Sequence, residues 1–280
     1  MKIDEATIFK QGSTTYYWSS TFFPPATRAD VYKLYSFVRI ADNFVDTIPA
    51  DVKSFEKLEK TWQKLQAGKK VPGNQDDVIA RVCQNMHEVS SKYDFDSSWV
   101  DAFLSSMRMD IKGHTYKTLD DTLAYIYGSA EVIGLMMAKI IGVPETAYEY
   151  AKFQGRAMQY INFLRDIAED IELGRCYFAK SELKKYGLSN LSEAEAYKRP
   201  AAYREFMEAQ LAYYHQWQSE ANKGFTAIPR KQRVALRTAV DMYNWTAEQL
   251  AKNPYVVFDK KVKPNKYRVV ARAIRRTLRA

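Results

Sequence analysis

Residues Arg156–Leu173 read RAMQYINFLRDIAEDIEL. At about 100° per residue, Gln159, Asn162, Asp166 and Asp170 fall within an arc of about 80°. Ala157, Tyr160, Leu164, Ile167, Ala168 and Ile171 occupy the other side. The segment is therefore an amphipathic helix. An ordinary solvated face would account for the polar stripe. Two features favour a site instead. The stripe carries oxygen-bearing side chains and none of the long Lys and Glu that coat a wet face. Gly155, one turn below Gln159, leaves room for something to approach closely.

A second stretch, Tyr32–Thr47, reads YKLYSFVRIADNFVDT. On a helix Asp42 and Asp46 lie about 40° apart, with Tyr35 about 20° and Arg39 about 60° from Asp42. Asn43 points about 100° away from Asp42. Ser36, Phe37, Ile40 and Phe44 lie on the opposite side. A helix this apolar all round is buried. Stacked carboxylates inside it are costly: like charges at i,i+4 cost about 0.2–0.5 kcal/mol when exposed, and unpaired buried ones several kcal/mol each.

Two helices that each present carboxylates one turn apart, facing across a cavity, suit a hard divalent cation. Mg²⁺ takes a few carboxylate oxygens at ~2.0–2.1 Å and shares its other positions with water and substrate phosphate. The spacing predicts Asp42, Asp46, Asn162, Asp166 and Asp170 as metal ligands and a diphosphate ester as substrate, with Mn²⁺ a substitute metal. The metal would be the Lewis acid for diphosphate departure. Arg39 and Arg165 would neutralise the departing oxygens. No Ser or Cys nucleophile has a base at matching spacing. His87, His114 and His215 are isolated, as structural histidines are.

Outward from these stretches the pattern is helical nearly throughout, with apolar residues recurring at three and four. The periodicity predicts helices near 5–22, 27–47, 53–66, 76–91, 98–112, 119–141, 145–173, 201–222, 230–251 and 266–278. Pro24-Pro25 breaks the first, Thr27 with Asp30 resembles a capping box, and Pro144 suits a first helical position. Only Tyr255–Phe258 reads as a strand, a short one. The loops Ala67–Asn74 and Gly187–Pro200 are too short for domain linkers. The expectation is an all-α chain forming one domain over 1–280.

The composition fits that class, with 46% hydrophobic and 27% charged residues among 280. Cys83 and Cys176 have no CxxC spacing and suit a reducing compartment. The N-terminus reads as neither signal nor transit peptide. The longest apolar run, Val132–Ala138, is far short of the ~20 residues of a membrane span. A cytoplasmic protein, peripheral to the membrane at most, is expected.

These motifs resemble the squalene/phytoene synthase family, of the isoprenoid synthase fold, over nearly the whole chain. The run Q-x-x-N-x-x-R-D-x-x-x-D, Gln159 to Asp170, is the most specific element. Gly12-Ser13-Thr14-Thr15 is similar to the family's N-terminal Ser-rich element. Tyr35, Arg39 and Asp42-Asn43-Phe44-Val45-Asp46 resemble its first Asp-rich motif, with Asn43 where Asp is frequent. YIYGSAEVIGLMM, Tyr125–Met137, resembles the substrate-channel helix of bacterial and archaeal phytoene synthases. Arg175 and Tyr177 match an Arg-x-Tyr that follows the second motif, and Tyr243 a late pocket tyrosine.

The resemblance implies head-to-head joining of two prenyl diphosphates through a cyclopropyl diphosphate, with Asp42, Asp46, Asp166, Asp170, Tyr35 and Arg39 catalytic. It implies substrate contacts from Gly12, Ser13, Thr14, Thr15, Tyr35, Arg39, Gln159, Asn162, Arg165, Arg175, Tyr177 and Tyr243. Two geranylgeranyl diphosphates giving phytoene by way of prephytoene diphosphate is the leading expectation. C15 substrates giving dehydrosqualene, squalene or presqualene diphosphate is the alternative. NADPH is not expected, since no dinucleotide fingerprint is present. A non-catalytic relative acting as an assembly factor would have lost these acids and arginines. Cationic intermediates need aromatic walls, each worth about 0.5–2 kcal/mol, for which Tyr16, Tyr35, Phe37, Tyr125, Tyr127, Tyr160, Phe163 and Tyr243 are candidates.

The formal charge of +9 is a property of the tail. Lys260–Ala280 holds nine basic residues and no acid, and the other 259 residues carry 33 of each sign. No nucleic-acid motif accompanies it, so nucleic acid is not an expected partner. Val269, Val270, Ile274 and Leu278 share one side of the last helix. It reads either as an interfacial helix docking on a membrane surface or as a helix packed on the domain with Arg snorkelling outward.

Overall fold

The computed structural model describes residues 5–72 and 77–277. The chain folds into α1 (Glu5–Gly12), α2 (Thr14–Ser20), α3 (Pro25–Asp46), α4 (Val52–Gln66), α5 (Val78–Tyr93) and α6 (Ser97–Ile111). There follow α7 (Leu119–Ile126), a π-helical turn (Tyr127–Glu131), α8 (Val132–Ile141), α9 (Tyr148–Arg165) and α10 (Ile167–Glu172). Short α11 (Lys180–Lys185) and α12 (Glu193–Lys198) lead to α13 (Pro200–Lys223), α14 (Arg230–Lys252), α15 (Val256–Asp259) and α16 (Lys266–Thr277). No strand occurs among the described residues.

Several expectations change. The first helix is two, because the Ser13 backbone is extended (φ −149°) and its hydroxyl caps α2 by accepting from Tyr16 N. Helix α3 starts with Pro25 in its first turn and has no side-chain cap. Asp30 instead is buried and accepts from Lys92 and Tyr93, at 2.6 and 2.7 Å, so it is no capping-box member. Pro144 precedes a 3-10 turn at Glu145–Ala147 as its cap, one position earlier than expected. The acidic helix breaks at Asp166, whose φ and ψ are −102° and 15°. Tyr255–Phe258 is not a strand: Val256–Asp259 is a single helical turn, with Tyr255 packed on Tyr197 and Tyr203. Within Gly187–Pro200 lies α12, capped by Ser192.

Close helix crossings depend on glycine. A Cβ on Gly134 would stand 2.4 Å from Ala151 O, and one on Gly155 would stand 2.4 Å from Ala130 O. The close approach that Gly155 permits is therefore backbone on backbone, α9 against the π-turn, and not a ligand on α9. The helix Leu119–Ile141 has the length and mean hydropathy (1.3) of a span, but 61% of that window is buried inside the fold. Glu131, buried in it, is paired with Arg156 at 2.6 Å. It is the central core helix of the bundle.

Candidate active site

Helices α2, α3, α6, α8, α9 and α14 surround a cavity of about 540 Å³. Asp42, Asp46, Asp166 and Asp170 all line it, with Tyr35, Arg39, Gln159, Asn162 and Arg165. Gly12, Ser13, Arg175, Tyr177 and Tyr243 line it too. Thr14 and Thr15 begin α2, but their side chains lie outside the described residues. Asn43 is exposed, on the solvent side of α3.

Each acidic helix meets cations from its own or the other motif. Arg39 donates to Asp42 at 2.6 Å. Arg165 forks onto Asp166, its Nε 2.8 Å from Oδ1. Arg175 donates from Nη1 to Asp46 Oδ1 and from Nη2 to Val45 O, both at 2.7 Å. That bond joins the end of the second motif to the end of the first. Gly174, at φ +72°, turns the chain so that Arg175 can reach back. Lys261 adds a contact to Asp166 at 3.4 Å and another to Glu169. Gly12 makes the N-terminal wall thin: a Cβ there would be 2.6 Å from the Tyr35 hydroxyl and 2.7 Å from Arg39 Cδ.

These cations do not neutralise the site. Burial, then Asp46, push the Asp42 carboxyl up to about 7. Burial, then Asp166, push Asp170 up to about 8, and Asp170 has no ion-pair partner among the described residues. Asp166 differs: burial raises it, but the hydrogen bond and charge of Arg165, and Lys261, hold it below the ordinary range. Asn162 lines the cavity beside Tyr243. Its Oδ1 is buried with no hydrogen-bond partner.

One acid was not legible in the sequence. Asp110, on α6, lines the cavity and accepts from the hydroxyls of Tyr125 at 2.6 Å and Tyr177 at 3.0 Å. Burial pushes it up to about 6, against those hydrogen bonds and the nearby Arg175. The other acid of its helix, Asp101, is exposed on the opposite side, so there is no repeat at helical spacing. Only the fold reveals that residues fifteen and sixty-seven positions away converge on Asp110.

Aromatic rings form the rest of the polar end. Tyr16 and Tyr243 lie 5.7 Å apart, and Phe163 stacks on Tyr177 at 4.3 Å. Phe9 stacks on Tyr35 at 3.8 Å. Three expected wall residues are elsewhere. Phe37 is core, against Trp62 and Phe103. Tyr160 is core, donating to Gln210. Tyr127 is 38% exposed, because the π-turn faces it outward. The π-turn brings Ser129 and Ala130 to the cavity, where Ile133, Met137, Ile141 and Phe225 continue an apolar wall.

Among the described residues no three of His, Cys, Asp and Glu converge closely enough to grip an ion by themselves. Carboxylates from two helices lining one cavity, with the orphaned amide oxygen of Asn162, nevertheless fit a hard cation shared with an anionic substrate.

Comparison with known proteins agrees with the fold and the motifs. The squalene/phytoene synthase family matches residues 9–268. The chain is 31% identical over 240 residues to a 15-cis-phytoene synthase of Enterobacter agglomerans, covering 83% of this chain and 80% of that one. It is 30% identical over 248 residues to the enzyme of that name from Pantoea ananas, covering 83% and 76%. A ligand-bound dehydrosqualene synthase superposes with a TM-score of 0.84 at 25% identity, over 97% of this chain and 93% of that one. A squalene synthase from Alicyclobacillus acidocaldarius shares the fold at a TM-score of 0.75 and 18% identity, over 90% and 93%. Motifs, all-helical fold and relatives agree: the chain belongs to the squalene/phytoene synthase family and is a prenyltransferase.

Proposed function

We propose that this chain joins two prenyl diphosphates head to head, and that the pair is two geranylgeranyl diphosphates giving phytoene by way of prephytoene diphosphate. One observation carries the reading: two carboxylate-bearing helices meet at one cavity whose other walls are aromatic and apolar. Length supports the C20 substrate. Lining residues run along α9 from Arg165 to Tyr150, fifteen positions, or ~22 Å of helix. The phytoene synthases at 30–31% identity point the same way.

Asp42, Asp46, Asn162, Asp166 and Asp170 would hold Mg²⁺, or Mn²⁺ in its place. The bound metal would supply the Lewis-acid pull on the diphosphate leaving group. The chain itself does the rest. Arg39, Arg165 and Arg175 sit where diphosphate oxygens gather, and guanidinium forks suit such oxygens. The bare Gly12 lets Tyr35 and Arg39 pack directly against its backbone, and Ser13 lines the cavity beside them. As one diphosphate departs, C1 of that substrate becomes an allylic cation. Tyr16, Tyr35, Tyr125, Phe163 and Tyr243 offer it π-faces worth about 0.5–2 kcal/mol each. The C2–C3 double bond of the other substrate attacks C1, a proton leaves, and the cyclopropyl diphosphate forms. A second departure, rearrangement and proton loss give the hydrocarbon. The apolar wall keeps water from the cations. Phytoene keeps its central double bond, so the proposed reaction needs no hydride from NADPH. The two free thiols, Cys83 and Cys176, suit cytoplasmic work.

The C15 alternative is favoured by one observation, the 0.84 TM-score with a dehydrosqualene synthase. Incubation of purified protein with Mg²⁺ and labelled C15 or C20 diphosphate, with and without NADPH, decides between them. A C40 hydrocarbon from the C20 substrate without NADPH is expected. A C30 product from the C15 substrate alone would overturn the C20 assignment. No product from either would overturn the reaction.

A further inference from the structure

Helix α16 has two faces with different tasks. Val269 and Ala273 are fully buried, where the helix packs against α14 and α2. Arg272 and Arg276 turn to Asp241 of α14. Arg272 Nε is 2.7 Å from Asp241 Oδ2, and Arg276 Nη2 is 2.7 Å from Oδ1. Two of the tail's cations are thus clips that fix the rotation of the helix, and the expected snorkelling does not apply to them.

The opposite face is free. Tyr267 is 73% exposed and Ile274 is 51% exposed, one stripe at helical spacing with Ala271 between them. Lys266, Arg268 and Arg275 are exposed along its margins, and none is ion-paired with a carboxylate among the described residues. Arg268 Cζ lies over Trp245, 4.7 Å from the ring centroid, which holds the side chain at the margin. Val269 faces inward, contrary to the single apolar side expected from the sequence. Leu278 and Arg279 lie outside the described residues.

We propose that this outward face is a docking surface for an anionic lipid bilayer. Tyr267 and Ile274 enter the headgroup boundary while Lys266, Arg268 and Arg275 contact lipid phosphates. Charge complementarity selects the occupant. On this face Lys266, Arg268 and Arg275 are exposed with no acid between Lys260 and Ala280 to offset them, and a flat negative surface can meet all three at once. The stripe is one helix wide, narrow for a specific protein interface and suited to shallow insertion. The clipped helix rests on α2 and α14, which carry Tyr16 and Tyr243 of the cavity wall. Docking therefore brings that wall to the lipid, where, if the proposed reaction holds, an apolar product has to go.

The test is co-sedimentation of the full chain with vesicles. One set is phosphatidylcholine alone, the other equal parts phosphatidylcholine and phosphatidylglycerol. Binding to the mixed vesicles only, reversed by salt, is expected. The Arg268→Gln/Arg275→Gln pair should weaken it about 30-fold or more. The Tyr267→Ser/Ile274→Ser pair should weaken it comparably through a different contact. All four side chains are exposed, so unchanged thermal melts and unchanged turnover of detergent-dispersed substrate should accompany the loss. Equal binding to neutral vesicles, no binding, or two variant pairs that bind as wild type does would overturn the proposal. An inactive protein that still docks this way would leave it standing and count only against the reaction.

Discussion

Arg175 reaches across the cavity to Asp46, Nη1 to Oδ1 at 2.7 Å, and holds Val45 O with its other amine. The residue that follows the second acidic helix thereby fixes the end of the first. Each helix alone carries a repulsive stack of carboxylates. The cross-bond makes them one site of fixed width. Burial and the crowded acids leave the Asp42 and Asp170 carboxyls up to about 7 and 8.

Removing that clasp should cost activity more than fold. Hydrogen bonds to charged groups contribute about 1.5–3 kcal/mol. Arg175→Ala is expected to lower kcat/KM by roughly 10- to 100-fold. Arg175→Lys should recover only part, because an ammonium cannot span both acceptors in one plane. Steady-state turnover of the C20 diphosphate measures this. An Arg175→Lys enzyme equal to wild type would show that the fork is dispensable.

The raised carboxyls set a pH dependence with a definite sign. Asp42, Asp110 and Asp170, up to about 7, 6 and 8, keep protons in the folded chain that the unfolded chain releases near its ordinary value of 3.8. The native state binds more protons between those limits, so its stability falls as pH rises from about 4 to about 8. Asp166 and Asp241, held low, act the other way, but only below about pH 4. Thermal melts of the metal-free protein should therefore drop across that window. Added Mg²⁺ should raise the melting temperature more at the alkaline end, where its ligands are ionised. A metal-free melting temperature climbing steadily from pH 5 to pH 8 would contradict this.

Asp170→Asn should separate stability from function. It removes an unpaired, buried charge, so the metal-free protein should gain a few degrees at about pH 8.5. Turnover should fall about 100-fold or more, as expected for losing a group aimed at developing charge. Calorimetry and product assays on the same preparation check both. A destabilised variant would show that Asp170 has a cation partner in solution.

Gly155→Ala tests the crossing of α9 on the π-turn. The new methyl would stand 2.4 Å from Ala130 O, which is backbone and cannot swing aside. A cost of about 1–3 kcal/mol is expected, seen as a melting temperature several degrees lower. A neutral outcome would mean the crossing is looser than described.

Helical periodicity was enough to read most of the bundle from the chain, because long amphipathic segments such as Arg230–Lys252 bury one continuous face. It failed where three or four residues decide. Val256–Asp259 is apolar and short, so period two and period 3.6 cannot be told apart there, and packing on Tyr203 settles it. The six-residue helices Lys180–Lys185 and Glu193–Lys198 have too few turns to show a stripe. The break at Asp166 is invisible to periodicity, since one non-helical residue leaves Asp170 facing the same cavity. The acidic stripes were legible because carboxylates at i,i+4 on a buried helix conflict with its apolar surroundings. Asp110 was not, because its partners, Tyr125 and Tyr177, lie on other elements. The tail's charge was legible, but its division into clips on Asp241 and free cations depends on rotation of the helix, which only packing fixes.

The central claim is that the two acidic helices act as one metal and diphosphate site. Mn²⁺ binding followed by electron paramagnetic resonance, with and without inorganic diphosphate, tests it on wild type, Asp42→Asn and Asp170→Asn. Diphosphate should tighten Mn²⁺ binding in wild type, and either substitution should weaken the ternary complex at least about tenfold, the effect of ~1.4 kcal/mol. Mn²⁺ bound equally by all three, or lost only on changing one helix, would contradict a shared site.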